Sequence, residues 1–410
     1  MPTQIFTNIR CLVNTRESSG FLRAGELAIL PKVDNAYIIV EGDTISDFGK
    51  VNNLRFAKEG IAVPDNTFVL PCWCDSHTHL VFAESREEEF IEKIKGLSYE
   101  EIAAKGGGIL NSAEKVNSIS EDELFNRSLK RLQQVGKLGT GAIEIKSGYG
   151  LTLEGELKML RVIKKLREKS RFEIKSTFLG AHAFPAAYKE NHEGYLDLLV
   201  NKMLPIIRRE KLADYIDVFC EKGFFSSGEM NTICEAGKQF GLKPKLHVNQ
   251  LHSIGGIEAG VQEKALSLDH LETLTDNEIE LLGKFEGAST LLPTAAFFLR
   301  TAMPPARKLI DACAAVTLAS DYNPGSSPSG NMNFVVSLSC IQMKMLPEEA
   351  INSATINGAA AMEIGKDYGS IAVGKKANLI FTKPISSLAY LPYSFGENLI
   401  DKVMIKGDFI

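Results

Sequence analysis

The sequence predicts an α/β protein: a (β/α)8 TIM-like barrel with a small β-sandwich assembled from the two chain ends. Two patterns point there. Between residues 70 and 321, eight short β-rich runs alternate with amphipathic helical stretches, the pattern of a parallel barrel. On either side, the chain carries strand-like runs with Gly-Asp turn signals and little helical periodicity. The expected division is a sandwich part at 1–69, a barrel at 70–360 and a second sandwich part at 361–410.

Taken in order, the first flank reads as strands at "GELAILP", "AYIIVEGDTISDFG" and "NTFVLP". The barrel strands follow at "LPCWCDSHTH", "TGAIEIKSGY", "FEIKSTFLGAH", "YIDVFCEK", "PKLHVNQ", "ALSLDH", "ASTLLPT" and "AVTLASD". Between them lie helical segments such as "SEDELFNRSLKRLQQVGKLG", "TLEGELKMLRVIKKLREKS", "SSGEMNTICEAGKQFG" and "TDNEIELLGKF". Ser120 with Glu123, and Thr275 with Glu278, have the spacing of a capping box, in which each side chain satisfies a free backbone amide. The tail returns to strand-like runs in "GSIAVGKKANLIFTK" and "LIDKVMIKGDFI".

Composition narrows the function. The 410 residues are 44% hydrophobic and 24% charged, with a net charge of −5, as in an ordinary globular protein. The most basic stretch, "RVIKKLREKS", alternates with apolar positions and reads as a solvated helix face, so nucleic-acid binding is not expected. No run approaches the roughly 18 apolar residues of a membrane span. A signal-peptide core is also missing from the start, so a cytoplasmic protein is expected. The seven cysteines are odd in number and scattered, which is reduced usage rather than a disulfide framework. Cys72 and Cys74 form a C-x-C without a second pair to complete a thiolate zinc site, so both are expected to pack as small apolar residues.

The histidines carry the functional signal. A barrel converges the C-terminal ends of its strands on one face, where active sites sit. His77 and His79 end the first predicted strand and, two residues apart, point the same way. His182 ends the third strand, His247 the fifth, His270 the sixth, and Asp321 the eighth. Of the seven histidines only His192 and His252 fall elsewhere. His192 reads as an exposed helix or loop residue, and His252 as packing or solvent-facing. Three neutral imidazoles and a carboxylate suit Zn2+ or iron and leave a coordination position open. The expected ligand set is His77, His79, His247 and Asp321. Asp321 is also placed to take a proton from water and hand it to a leaving nitrogen.

In "HTHLVFAESR", "EIKSGYGL", "TFLGAHAFP", "LHVNQL", "LDHLE" and "DYNPGSSP", the chain resembles the amidohydrolase superfamily, and within it the imidazolonepropionases. The matches span 77–328, and "ATINGAAAMEIGKDYGSIAVGKKANLIF" resembles the superfamily's closing segment. The resemblance implies hydrolysis of a cyclic amide, 4-imidazolone-5-propanoate, to N-formimidoyl-L-glutamate in histidine degradation. It implies one Zn2+ or Fe3+ per chain on His77, His79, His247 and Asp321, and a homodimer. Substrate contacts carry over to Arg86, Tyr149, His182, Gln250, Asn323, Gly325 and Ser326, and carbonyl polarisation to His270. Gln250 stands where some relatives carry glutamate; an amide can position water or substrate but cannot act as a base.

Several alternatives stay open on these residues. Arg86 either grips the anionic tail with its bidentate fork or closes a salt bridge within "ESREEEF". Tyr149, between two glycines, either lines the ligand or caps the barrel. His182 hydrogen-bonds the ring or the developing oxyanion. Asn323, Gly325 and Ser326 contact the tail or simply make the turn that N-P-G-S-S signals. A deaminase of the same superfamily would share the metal site without needing Arg86. A binuclear relative would carry a carboxylated lysine near the fourth strand end, where Lys222 lies. An inactive scaffold would have lost ligands that this chain keeps.

Overall fold

A computed structural model describes residues 3–54, 60–97, 101 and 107–410. The N-terminal part contains β1 (Thr3–Val13), β2 (Lys32–Glu41), β3 (Thr44–Lys50), β4 (Ile61–Ala62) and β5 (Phe68–Pro71). The barrel strands are β6 (Trp73–Asp75), β7 (Thr140–Lys146), β8 (Glu173–Ala181), β9 (Tyr215–Cys220), β10 (Lys243–Val248), β11 (Ser267–His270), β12 (Ala288–Leu291) and β13 (Ala315–Leu318). The chain ends with β14 (Leu379–Thr382), β15 (Ile400–Ile405) and β16 (Asp408–Phe409). Each of the eight runs predicted for the barrel overlaps one of these strands.

Neighbours from β6 to β13 pair in sequence order and all in parallel. Parallel strands buried on both faces need near-continuous apolar runs, and β7, β9, β12 and β13 are buried at every position. The two edge strands meet just beyond their ends. Asp321 donates its backbone N–H to His77 O at 3.0 Å, and His79 donates to Tyr322 O at 2.9 Å. Below them the Asp75 carboxylate accepts from Ser320 N at 2.9 Å and Ser320 Oγ at 2.5 Å. The segments that close the ring therefore also carry three of the expected metal ligands.

Helices cover the outside, at Glu121–Lys137, Leu153–Lys169, Ser227–Gln239 and Asp276–Lys284 among others. Thr275 and Glu278 form the full capping box that their spacing predicts. Ser120 accepts from Glu123 N, but the Glu123 carboxylate pairs with Arg127 one turn on, so only half of that box forms. A complete box also forms between Ser226 and Glu229, at the start of the helix in "SSGEMNTICEAGKQFG".

The two chain ends make one β-rich domain, built as a single sheet in the order β16-β15-β14-β5-β1-β2-β3, with β4 on β1. Strand β5 joins them, parallel to β1 and antiparallel to β14. The sheet bends over its own core, because the Phe6, Phe381 and Phe409 rings from β1, β14 and β16 lie within 5.8 Å of one another. Cys72, where the chain passes from β5 to β6, and Cys74, on β6, are buried free thiols, and burial raises both pKa values. They pack as apolar residues.

Candidate metal centre and substrate pocket

The floor of the site is a set of charges inside the barrel. Glu144 and Lys146 on β7, Asp217 on β9, Lys245 on β10 and Asp269 on β11 are all buried to 1% exposure or less. Lys146 Nζ reaches Glu144 at 2.7 Å, Asp217 at 2.8 Å and Asp269 at 3.7 Å, while Lys245 pairs with Glu144 at 2.8 Å. Burial works against the Lys146 charge, but Asp217, Glu144 and Asp269 outweigh it and raise its pKa. An unpaired ion in this setting would cost several kcal/mol, so the five charges stand or fall as a network.

Two of the carboxylates reach upward. Asp269 Oδ2 lies 2.6 Å from His77 Nδ1, and Asp217 Oδ2 lies 2.7 Å from His247 Nδ1. A carboxylate only accepts, so each Nδ1 carries the proton and each Nε2 presents a lone pair. Burial, then the Lys146 charge and the neighbouring imidazoles, hold both rings well below the ordinary histidine pKa. His79 is also held low, by burial and then by His182 and His247.

The lone pairs converge. His79 Nε2 and His247 Nε2 are 3.2 Å apart, and Asp321 Oδ1 is 3.5 Å from both His77 Nε2 and His79 Nε2. His77 Nε2 is buried with no hydrogen-bond partner among the described residues. Zinc bonds of about 2.0–2.1 Å in a tetrahedron put neighbouring ligand atoms roughly 3.3 Å apart. The donor set thus fits such an ion, and His77, His79 and His247 form one of the groups able to hold it. Burial raises the Asp321 acid to about 7, opposed chiefly by His270. The same strand ends carry backbone strain, with left-handed φ at Asn249 (54°), His270 (87°) and Asp321 (51°).

Around the cluster the remaining histidines differ in character. His182 Nδ1 is 3.0 Å from Gly148 O, and since a carbonyl only accepts, Nδ1 carries the proton and Nε2 is free to accept. Burial lowers its pKa to about 4. This neutral tautomer can take a hydrogen bond from a ring N–H but has none to give an oxyanion from Nε2. His270 is the opposite case. Burial would lower it, but Glu272, 3.2 Å from Nδ1, and Asp321 outweigh burial and raise its pKa. Tyr149 is buried, with its ring 5.7 Å from His79 and 5.3 Å from His182.

The loops on the rim are fixed by glutamates that sequence reading missed. Buried Glu156 accepts from the amides of Gly148, Gly150 and Leu151 and so shapes the turn that carries Tyr149. Buried Glu221 accepts from Leu251 N, His252 N and His252 Nδ1, which anchors the loop of half-buried Gln250. Glu278 adds bonds to Asn249 and Ser253 at 2.7 Å each. Glu156 gathers amides from the turn just before its own helix, whereas Glu221 and Glu278 find these partners far along the chain. Lys222, the residue a binuclear centre would need, is exposed beside inward-facing Glu221. His192 and His252 are surface residues, paired with Glu229 and Glu221.

Arg86 and Asn323 both make hydrogen bonds within the protein. Arg86 Nε and Nη2 donate to Glu89 at 2.8 and 2.6 Å, a buried pair at i,i+3 spacing. Its free Nη1 abuts Gly325, where any Cβ would collide with the guanidinium. Asn323 spends its side chain on the turn, donating to Asp321 O and Ser326 Oγ and accepting from the amides of Gly325 and Ser326. Ser326 Oγ lies 3.4 Å from Asp321 Oδ2, so this turn joins the metal cluster to Arg86.

A fold with this cluster at its strand ends narrows the chain's relatives, and residues 68–410 match the amidohydrolase family. The chain belongs to the amidohydrolase family. It is similar to the imidazolonepropionase of Flavobacterium johnsoniae, 56% identical over 408 residues that cover 99% of each chain. It is 53% identical to that of Christiangramia forsetii, with both chains covered in full. Among solved amidohydrolase folds, E. coli guanine deaminase superposes with a TM-score of 0.77 at 12% identity, covering 100% of this chain and 99% of that one. That likeness concerns the fold alone.

Proposed function

We infer that this chain is an imidazolonepropionase: it hydrolyses the ring C–N bond of 4-imidazolone-5-propanoate to N-formimidoyl-L-glutamate, the third step of histidine degradation. What carries the reading is that a chain 56% identical end to end to an imidazolonepropionase also gathers the His77, His79 and His247 imidazoles, with the Asp321 carboxylate 3.5 Å from two of them. His77, His79, His247 and Asp321 would hold one Zn2+ or Fe3+ per chain. Such an ion supplies Lewis acidity, polarising a carbonyl oxygen and acidifying water.

The chain's own groups do the rest. Asp321 accepts the proton of the attacking water and returns it to the ring nitrogen as the C–N bond breaks. His270, whose pKa Glu272 and Asp321 raise, donates toward the scissile carbonyl oxygen. His182 accepts from a ring N–H through Nε2, and Tyr149 packs beside the ring. Gln250 orients water or substrate by hydrogen bonds alone. Arg86, Asn323, Gly325 and Ser326 form the wall that receives the propionate tail.

The test is direct. Purified protein should convert 4-imidazolone-5-propanoate to N-formimidoyl-L-glutamate and leave guanine and cytosine untouched. Chelation should abolish the activity, and readdition of about one zinc or iron per chain should restore it. Deamination of guanine or cytosine without imidazolone hydrolysis would turn the assignment to a deaminase. A homodimer, a cytoplasmic location and the division at residues 69 and 360 are proposed on the same footing. Sedimentation, cell fractionation and limited proteolysis test each in turn.

A further inference from the structure

The tail side of the pocket contains a second cation. Lys93 stands seven residues after Arg86, on the helix Glu87–Ile94, and so on the same helix face. Its Nζ lies 3.2 Å from Gly325 O and 5.8 Å from the centre of the Phe298 ring. Both cations therefore converge on Gly325, four residues beyond the ligand Asp321. They differ in how their charges are spent. Arg86 is tied to Glu89 by two hydrogen bonds, and the other Glu89 oxygen is held by Gly108 N at 3.0 Å. Lys93 has, among the described residues, a neutral carbonyl as its hydrogen-bond partner. An ammonium has three donors, so two remain. Burial lowers the Lys93 pKa and the Arg86 charge adds to this, with Glu89 opposing them.

Charge balance then favours one kind of ligand. Arg86, Glu89 and Lys93 sum to a single positive charge beside Gly325, which matches a tail bearing one carboxylate. We propose that Lys93 receives that carboxylate beside Arg86, and so makes the pocket select anionic rings over neutral ones. The proposal rests on the imidazolonepropionase reading. Arg86, already neutralised by Glu89, supplies shape through its free Nη1, while Lys93 supplies the net charge.

The experiment compares wild type, Lys93→Met and Lys93→Arg on two substrates, 4-imidazolone-5-propanoate and its uncharged propionamide. Lys93→Met should raise KM for the carboxylate substrate about tenfold, the size of one lost charge-assisted contact. Its kcat should stay within about twofold, because the tail contact exists in the ground and transition states alike. On the propionamide, wild type and Lys93→Met should be equal, and this also shows that the variant is folded. Lys93→Arg should recover most of the loss. An unchanged KM for the carboxylate substrate, an equal loss on both substrates, or no recovery by arginine would each overturn the proposal and leave Lys93 a structural tie to Gly325. Wild type inactive on the propanoate would instead overturn the reading itself, and this inference with it.

Discussion

The floor and the rim of this site solve the same problem, holding polar groups still, by opposite means. On the floor, the imidazoles of His77 and His247 are set by carboxylates on barrel strands, and one buried lysine joins those carboxylates. Charge is kept in a dry interior, where each ion depends on its partners. On the rim, Tyr149 and Gln250 ride on loops whose backbone amides are gathered by Glu156 and Glu221. There the charge organises the main chain and the functional side chain hangs from it. The floor should thus be unforgiving and cooperative, and the rim tolerant and tunable.

The largest effect should come from the floor's own ligands. His247→Ala removes one donor of the cluster and strands the Asp217 carboxylate. Metal content and activity should vanish together, measured by elemental analysis and turnover. A fully active, metal-free variant would sink the ligand assignment. Next comes Lys146→Met, a residue with no contact to the ion. It leaves Glu144, Asp217 and Asp269 facing Lys245 alone, so the carboxyls should take up protons and loosen their hold on the two rings. Metal affinity by chelator competition should fall roughly 10–100-fold, the usual cost of losing an outer partner. Wild-type affinity in this variant would show that the two carboxylates act without their shared cation.

Asp321 gives the comparison a pH dependence. In the metal-free protein, burial raises this acid to about 7, whereas the three ligand imidazoles are held well below their usual value. Below about pH 7 the metal must displace the Asp321 proton, and above it no proton is lost from this group. Apparent affinity should fall about tenfold per pH unit on going below 7 and level off above it. Asp321→Asn should abolish that slope along with the activity. A flat wild-type profile between pH 6 and 7 would mean the carboxyl is already ionised before metal arrives.

The smallest effect belongs to the rim. Gln250→Glu should leave fold and metal content intact and change turnover by no more than several-fold, since Glu221 still anchors the loop. Loss of all activity in Gln250→Ala, with a near-normal rate in Asp321→Asn, would move the proton chemistry from the floor to the rim.

How much of this was legible in advance follows the range of the forces involved. The alternation of strand and helix placed all eight barrel strands, because period-2 and period-3.6 patterns are local consequences of backbone geometry. The same rule brought His77, His79, His247 and Asp321 to the strand ends, since a parallel barrel has one such face. Cys72 and Cys74 were readable as core for want of partners. The sequence by itself thus determined the architecture and brought the candidate metal ligands to one face of the barrel. Only the tertiary structure decided protonation and pairing. Arg86 is paired with Glu89, His182 is a neutral acceptor, His270 has its pKa raised by Glu272 and Asp321, and Lys146 joins the supports of two rings. Burial weighs on all four, and the partners of His182 and Lys146 lie far along the chain; desolvation and Coulomb forces act through space with no period along the chain.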